Sequence, residues 1–272
     1  MKEETGIKEK FDCLINILKN KESVLVAFSG GVDSTVVAAA AKIALKDKAL
    51  AATINSPLIP LEEVEEALKT AKEIGISHVI LEGNELEDPN FTCNSSNRCY
   101  FCKKNLAFKL RKLAKERGLK NIVDGTNAED LKDYRPGWLA LREEGVSSPL
   151  VEAGLTKEDV RKIAKILGLS IAGKPSSACL ASRIPYGEKI TLERLKRIAD
   201  SERFIKKIVK VKQVRVRDHG IIARIEVDPK ERRLFFNEKI MDEVSQKLRS
   251  LGFKFVALEL EGYAQGNMNK LL

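Results

Sequence analysis

Six consecutive residues, Ser29-Gly30-Gly31-Val32-Asp33-Ser34, follow an apolar run at 24–28 and precede a small-residue helix pattern at 35–46. Two adjacent glycines permit a tight turn in which successive N–H groups face one anion, and the following helix adds its positive N-terminal end. Ser29, Ser34 and Thr35 contribute hydroxyl donors. The result is a cradle for phosphate. It is not the GxxxxGK[ST] loop, because no lysine follows the glycines, and GxGxxG is absent as well. A glycine-rich turn that binds nothing is the plain alternative, and the strand and helix patterns on its two sides argue against it.

Cysteines form the second chemical constellation. Cys99 and Cys102 open a helical pattern, so their sulfurs fall within one turn; Cys93 lies upstream in a polar loop, and Cys179 in a loop rich in proline. Cys13 sits among apolar neighbours in an amphipathic helix and is expected to be a core residue without chemistry. A lone CxxC suits zinc, redox chemistry or an iron–sulfur cluster. No second CxxC completes a zinc finger, and His78 and His219, in a strand and a turn, are poor ligand candidates. If Cys179 folds back over Cys99 and Cys102, three thiolates could hold a 4Fe-4S cluster with one iron open to an exogenous group such as hydrosulfide. A CxxC that is a structural or redox pair, with Cys179 acting alone, is the alternative; Cys93 in place of Cys179 is another. Arg215 and Arg217 alternate along a strand pattern, which puts both guanidiniums on one face, as a phosphate clamp or as a solvated basic face.

Composition sets the frame for these groups. The chain has 272 residues, 43% hydrophobic and 32% charged, with a formal net charge of +9. That length allows one large or two ordinary domains, and the charge suits an anionic partner, nucleotide or nucleic acid. No apolar stretch approaches the ~20 residues of a membrane span, and no signal-peptide core is visible, so a cytoplasmic location is expected. Five cysteines without an export signal point to metal or chemistry rather than disulfides.

The elements that must position the groups follow from periodicity. Residues 7–19 read as an amphipathic helix. Short apolar runs at 24–28, 50–54, 78–81 and 122–123 alternate with helical patterns at 35–46, 61–74 and 99–117, which predicts a parallel α/β sheet with helices on both faces. Thr156 is an expected N-cap for a helix at 156–167. The stretch 175–190, with two prolines and a glycine, marks a junction. Beyond it come a helix at 191–207, strands at 211–217 and 221–227 joined by Asp218-His219-Gly220, a helix at 238–250 and a strand at 253–260. The expected division is a first domain of residues 1–178 and a small α+β domain of residues 179–272.

The hexapeptide in its strand–turn–helix setting resembles the PP-loop of ATP pyrophosphatases, which adenylate a carbonyl or amide oxygen and release pyrophosphate. Together with NRCYFCK (97–103), DGTNAED (124–130), DYRPG (133–137), PSSACLASRIPYG (175–187) and EGYAQGNMN (261–269), it resembles the LarE family over nearly the whole chain. These are PP-loop sulfur transferases that make the nickel-pincer nucleotide of lactate racemase. The resemblance implies that ATP adenylates a carboxylate of pyridinium-3,5-biscarboxylic acid mononucleotide and that a sulfur nucleophile then displaces AMP, once per carboxylate. In one branch of the family a cysteine matching Cys179 gives up its own sulfur. The branch with a CxxC, which this chain resembles, holds a 4Fe-4S cluster on three cysteines, here Cys99, Cys102 and Cys179, and a sulfide bound to the cluster is the sulfur delivered.

Roles follow from that chemistry. Ser29, Gly30, Gly31 and Ser34 are expected at the leaving pyrophosphate, and Asp33 is expected as a ligand of Mg²⁺, which offsets repulsion between carboxylate and polyphosphate. Ala27, Gly125 and Thr126, at strand ends, and Ser56 after the second strand, would border adenosine. Ser182 and Arg183 would lie near the reacting carboxylate, with Glu202 and Asp228 as further neighbours, and Arg215 and Arg217 would hold the substrate phosphate. A homohexamer is what the family implies. Three rivals remain: a tRNA thiolase of the PP-loop and 4Fe-4S type, against which stand the missing zinc-finger CxxC pairs and the C-terminal motif; an amide-forming ATP pyrophosphatase, for which the cysteines have no purpose; and a nucleotide-binding module that releases no pyrophosphate.

Overall fold

The computed structural model describes residues 2–132, 136–175 and 178–264, with backbone alone at 2–5 and 132. In chain order its elements are α1 (Lys2–Asn20), β1 (Val24–Ala27), α2 (Val32–Leu45), β2 (Ala49–Asn55), α3 (Leu61–Ile74), β3 (Ser77–Glu82), α4 (Pro89–Thr92), α5 (Arg98–Glu116), β4 (Asn121–Val123), α6 (Pro136–Glu143), α7 (Pro149–Glu152) and α8 (Lys157–Ile166). After several short 3-10 turns, α9 (Leu192–Val209), β5 (Val214–His219), β6 (Ile222–Val227), α10 (Glu238–Ser250) and β7 (Phe255–Leu258) complete the chain. Two compact units result: Met1–Glu85 with Cys99–Ser177, and Leu86–Arg98 with Ala178–Leu272.

The first unit is built on a parallel sheet of order β3-β2-β1-β4. Side-chain alternation along β1 explains why helices cover both faces. Val24 and Val26 point into one cluster with Leu14 and Leu18 of α1, Val36 and Val37 of α2, and Val160 and Ile163 of α8. Leu25 points the other way, with Leu50 and Ala52 of β2, Leu110 of α5, Ile122 of β4 and Leu141 of α6. The alanine run 38–41 is buried throughout, so α2 presents little side-chain bulk to the helices beside it. The Thr156 hydroxyl accepts from the Asp159 N–H, and the Asp159 carboxylate accepts from the Thr156 N–H, so a capping box fixes the start of α8.

In the second unit β5 and β6 are antiparallel, β6 and β7 parallel, in the order β5-β6-β7. Val214, Val216, Ala223, Ile225 and Val227 form the core with Ile205 and Val209 of α9 and Val244 and Leu248 of α10. The first of these strands starts three residues later than the apolar pattern predicts, at Val214 instead of residue 211. Lys210 closes α9 at φ 60, and the Lys212 N–H bonds the Glu231 carboxylate in place of a neighbouring strand. The last strand is likewise shorter, at Phe255–Leu258.

One expectation is corrected. Cys13 is exposed. The buried face of α1 is made by Ile7, Leu14, Ile15 and Leu18, and at ~100° per residue position 13 lies about 140° from the middle of that face. Residues 86–98, which the linear reading leaves in the first domain, cluster with the second unit. Asn94 is the reason. Fully buried and at φ 58, it donates its amide to the carbonyls of Pro185 (2.7 Å) and Glu188 (2.8 Å) and accepts from Arg98. The Gly187 N–H returns a bond to the Asn94 carbonyl, and Arg98 stacks 4.3 Å above the Tyr186 ring. Asn94→Ala is therefore expected to cost the second unit about 1–3 kcal/mol for buried polar groups left without partners, measured as a lowered urea midpoint of that unit's unfolding transition.

Candidate active site

At the C-terminal end of β1 the chain turns through Gly30 at φ 69 and enters α2. The Ser34 hydroxyl accepts from the Ser29 N–H (3.2 Å) and donates to the Gly31 carbonyl (3.1 Å), while the Ser29 hydroxyl accepts from the Gly31 N–H (3.3 Å). The loop is thus drawn into a concave turn beside the first residues of α2. Neighbouring backbone closes in from two sides. A Cβ on Gly30 would lie 2.8 Å from the Ala67 Cβ of α3, and one on Gly125, after β4, would lie 2.6 Å from the Ser34 backbone nitrogen. Asp124 holds Thr126 through its N–H and its hydroxyl (2.6 Å), and Asn127 reaches Asp33 Oδ1 at 3.5 Å. Asp33 Oδ2 accepts from Lys157, the first residue of α8. A ring of hydroxyls, N–H groups, one carboxylate and one lysine suits polyphosphate, and the carboxylate oxygens of Asp33 suit a hard divalent cation.

On α5 Cys99 is exposed and Cys102 half-buried, three residues apart on one helix face. Gly137 of α6 lies against Cys99, its would-be Cβ 3.3 Å from the Cys99 carbonyl and 3.7 Å from the Cys99 Cβ. Among the described residues no group of three or more His, Cys, Asp or Glu side chains is drawn together as a metal site requires. The CxxC offers two thiols within one helical turn, a spacing that suits a metal or a cluster.

The second unit carries a buried charge cluster next to Cys179. Arg183, 1% exposed, forms a two-pronged ion pair with Glu202 (2.9 and 3.1 Å) and donates Nη1 to the Ala178 and Cys179 carbonyls (2.7 and 3.0 Å). Glu202 also accepts from the Val216 N–H on the outer edge of β5 (3.0 Å). Arg217 donates both Nε and Nη2 to Glu226 Oε2 and Nη1 to the Ser182 carbonyl. Arg215 lies between these pairs, 4% exposed, 5.6 Å from the Tyr263 ring centroid. Burial, then the neighbouring Arg183 charge, brings the Arg215 pKa down to about 10. Burial works to raise the Glu202 pKa, yet Arg183, Arg215 and the Val216 N–H outweigh it and hold this carboxyl below the usual range.

The model of the NAD synthase family matches residues 7–193. A protein of Lactiplantibacillus plantarum named pyridinium-3,5-bisthiocarboxylic acid mononucleotide synthase is 37% identical over 95% of this chain and 93% of its own length. An uncharacterised protein of Synechocystis is 42% identical over 98% of this chain and 99% of its own length. A tRNA-specific 2-thiouridylase of Rickettsia felis is 27% identical over 60% of this chain and 55% of its own length. The chain belongs to the LarE family of PP-loop, ATP-dependent sulfur transferases.

In this LarE chain, then, Ala27, Ser29, Gly30, Gly31, Asp33 and Ser34 meet Gly125 and Thr126 at one end of the first sheet, as the helix and strand ends dictate. Ser56 is not open there: it is buried and donates its hydroxyl to Glu85 (2.7 Å). In the second unit Cys179 is exposed, and Ser182, Arg183, Glu202, Arg215 and Arg217 adjoin one another. Arg183, expected near the reacting carboxylate, and Arg217, expected at the substrate phosphate, each form a buried ion pair, with Glu202 and Glu226. Asp228 is exposed and caps the turn at 228–231 through the Lys230 N–H. Cys93 is exposed, its thiol directed at the Asn90 carbonyl (3.3 Å). Within the motifs, residues 133–135, 176–177 and 265–269 lie outside the described residues.

Sequence reasoning missed Lys157, Asn127 and Glu226. A cation at the first position of a helix runs against the helix dipole, and that was a readable signal for Lys157; Glu226 shows only once β5 and β6 are placed in register.

Gly125→Ala is expected to weaken ATP binding at least tenfold by calorimetry, since its methyl group meets backbone that cannot yield. Arg183→Ala, which leaves Glu202 buried without its partner, is expected to cost about 3–5 kcal/mol of second-unit stability. The pH sign follows from the lowered Glu202 pKa. Its stabilisation is present above the ordinary carboxylate pKa of ~4.3 and is lost as pH falls through the lower folded value. Glu202→Gln is expected to be less stable at neutral pH and to show a flatter loss of stability in acid, measured by thermal unfolding from pH 7 to pH 3.

Proposed function

We propose that this LarE protein adenylates the carboxylates of pyridinium-3,5-biscarboxylic acid mononucleotide and converts them to thiocarboxylates. The observation that carries the reading is the match to the L. plantarum synthase, which runs through both the phosphate loop and the Cys179 segment. A substrate carboxylate oxygen attacks the α phosphorus of ATP. The bond from that phosphorus to the bridging oxygen breaks, and its electron pair leaves with pyrophosphate. The N–H groups and hydroxyls of Ser29–Ser34 receive this leaving group, and Asp33 would hold Mg²⁺, which neutralises the polyphosphate when bound.

Sulfur then attacks the acyl carbon, and AMP departs with the C–O electron pair. Arg215 is a buried arginine whose pKa burial and the Arg183 charge lower to about 10, so an incoming anion would favour its charged form, and we assign it to the substrate phosphate with Arg217 beside it. Ser182 and the Arg183-anchored backbone of Cys179 border the reacting carboxylate in this reading. Cys99, Cys102 and Cys179 would hold a 4Fe-4S cluster, which supplies hydrosulfide on the iron that no cysteine ligates. The division at residue 178, a substrate-binding second domain, a cytoplasmic location and a homohexamer belong to the same proposal.

A second reading is kept beside it: Cys179 is exposed, as direct attack by its thiol and surrender of its own sulfur would require. Anaerobic purification separates the two. About four irons per chain, lost on replacing Cys99, Cys102 or Cys179 with alanine, is the expected result. A colourless protein whose Cys179 becomes dehydroalanine after one turnover would establish the sacrificial route. Pyrophosphate release that needs tRNA rather than the dicarboxylate would overturn both.

A further inference from the structure

We propose that Lys157 supplies the lysine missing from the phosphate loop: it neutralises Asp33 before nucleotide arrives, then moves onto the pyrophosphate and frees Asp33 for the divalent metal. The inference rests on the ATP-activating reading above and adds a residue to its site.

The first ground is chemical. The loop carries N–H and hydroxyl donors and one carboxylate but no cation of its own, because Asp33-Ser34 stands where a P-loop has Lys-Ser/Thr. Pyrophosphate leaving the α phosphorus accumulates negative charge that neutral donors offset weakly; a compact ammonium offsets it best. Lys157 brings one from 124 residues downstream.

Placement supplies the second ground. Lys157 is the first residue of α8, the position where the helix dipole disfavours a cation. The backbone beneath it is pinned: Thr156 and Asp159 form the capping box, and Asp159 is paired with Lys10. The Lys157 side chain is different. It has four carbons of reach, is 30% exposed at an Asp33 that is 22% exposed, and among the described residues it is paired with that carboxylate alone. Its ion pair is therefore partly solvated and exchangeable. A cation at an electrostatically disfavoured position on a fixed backbone, paired with the loop carboxylate, is accounted for if its charge is used at the loop.

Third, Asp33 cannot serve Lys157 and a metal with the same oxygen. Oδ2 accepts from Lys157 and Oδ1 faces Asn127. When phosphate oxygens draw the ammonium away, Oδ2 is released toward the cation that bridges the polyphosphate. One exchange of partners thus couples nucleotide arrival to metal binding, and it gives the metal-free protein a neutral pair where a lone carboxylate would repel the nucleotide.

The test is pyrophosphate binding by calorimetry in the presence of a chelator, so that no metal contributes. Lys157→Gln is expected to weaken binding at least tenfold, and Lys157→Arg to stay within about threefold of wild type. Asp33→Asn is expected to bind metal-free pyrophosphate more tightly, with that gain abolished in the double variant. In pyrophosphate-release assays the Mg²⁺ concentration for half activation is expected to fall in Lys157→Gln, since Asp33 is no longer masked. Unchanged pyrophosphate affinity in Lys157→Gln, or a Lys157→Arg variant as weak as Lys157→Gln, would overturn the leaving-group role. An unchanged Mg²⁺ requirement would overturn the masking role. Wild-type protein that binds neither pyrophosphate nor ATP would remove the loop reading itself and this inference with it. Should Lys157→Gln not fold, the Asp33→Asn gain alone decides: no gain overturns the proposal.

Discussion

Two places where a side chain cannot exist govern the nucleotide end of this protein. Gly30 turns through a left-handed conformation with its α-carbon pressed on Ala67, and Gly125 lies on the Ser34 backbone nitrogen. Any Cβ at either position would meet an atom at 2.8 Å or less. These contacts bring three chain segments, from β1, α3 and β4, to one end of the sheet, and only such convergence leaves the first N–H groups of α2 facing the same concave turn. Apolar packing supplies the force for it. The alternation of Val24, Leu25 and Val26 divides β1 between two cores, so the loop is held from both faces of the sheet.

The second unit solves a different problem, that of keeping cations next to an apolar core. Arg183, Arg215 and Arg217 are each at most 5% exposed, against the buried carboxylates Glu202 and Glu226. Ion pairs of this burial contribute little net stability, because desolvation offsets the Coulombic gain, but they break at high cost. Their worth here is geometric. Arg183 ties the Cys179 carbonyl to α9, and Glu202 covers the outer edge of β5, a strand that would otherwise present open N–H groups. Burial first, and then the neighbouring Arg183 charge, lowers the Arg215 pKa to about 10 in this crowded cluster.

The sequence was most legible where local chemistry alone decides structure. Gly-Gly after an apolar run, the Thr156 cap and the four short parallel strands depend on neighbours in the chain, and the structure has them. Legibility failed where distant segments choose the outcome. Cys13 looked apolar by its neighbours, but the helix face is selected by the sheet it covers. Residues 86–98 join the second unit because one buried amide, Asn94, has its acceptors at 185 and 188. Arg215 and Arg217 do share a face, yet no spacing rule says that Glu226 will stand opposite them; that follows from the β5–β6 register. Lys157 was missed although its signal was local, since a lysine after a cap reads as an ordinary surface residue until its partner is known.

The cysteines show how far geometry and family can be separated. Membership of the LarE family fixes that sulfur is transferred, and the CxxC on α5 sets this chain apart from a design with a single reactive cysteine. Cys99 is exposed, and Gly137 lets α6 pack closely on the first turn of α5, where a Cβ would lie 3.0 Å from Lys103 Cγ and 3.3 Å from the Cys99 carbonyl. Cys179, for its part, has a backbone clamped by a buried arginine and a thiol left outside the clamp. A cysteine that surrenders its own sulfur once needs only that rigidity. A cysteine that shared a ligand set on every turnover would also need partners whose positions are fixed independently of it, and the first turn of α5 fixes Cys99 and Cys102 relative to one another. An exposed CxxC is open to oxidation and adventitious metal, a cost for which the proposed repeating use of sulfur would give a reason and a single use would not.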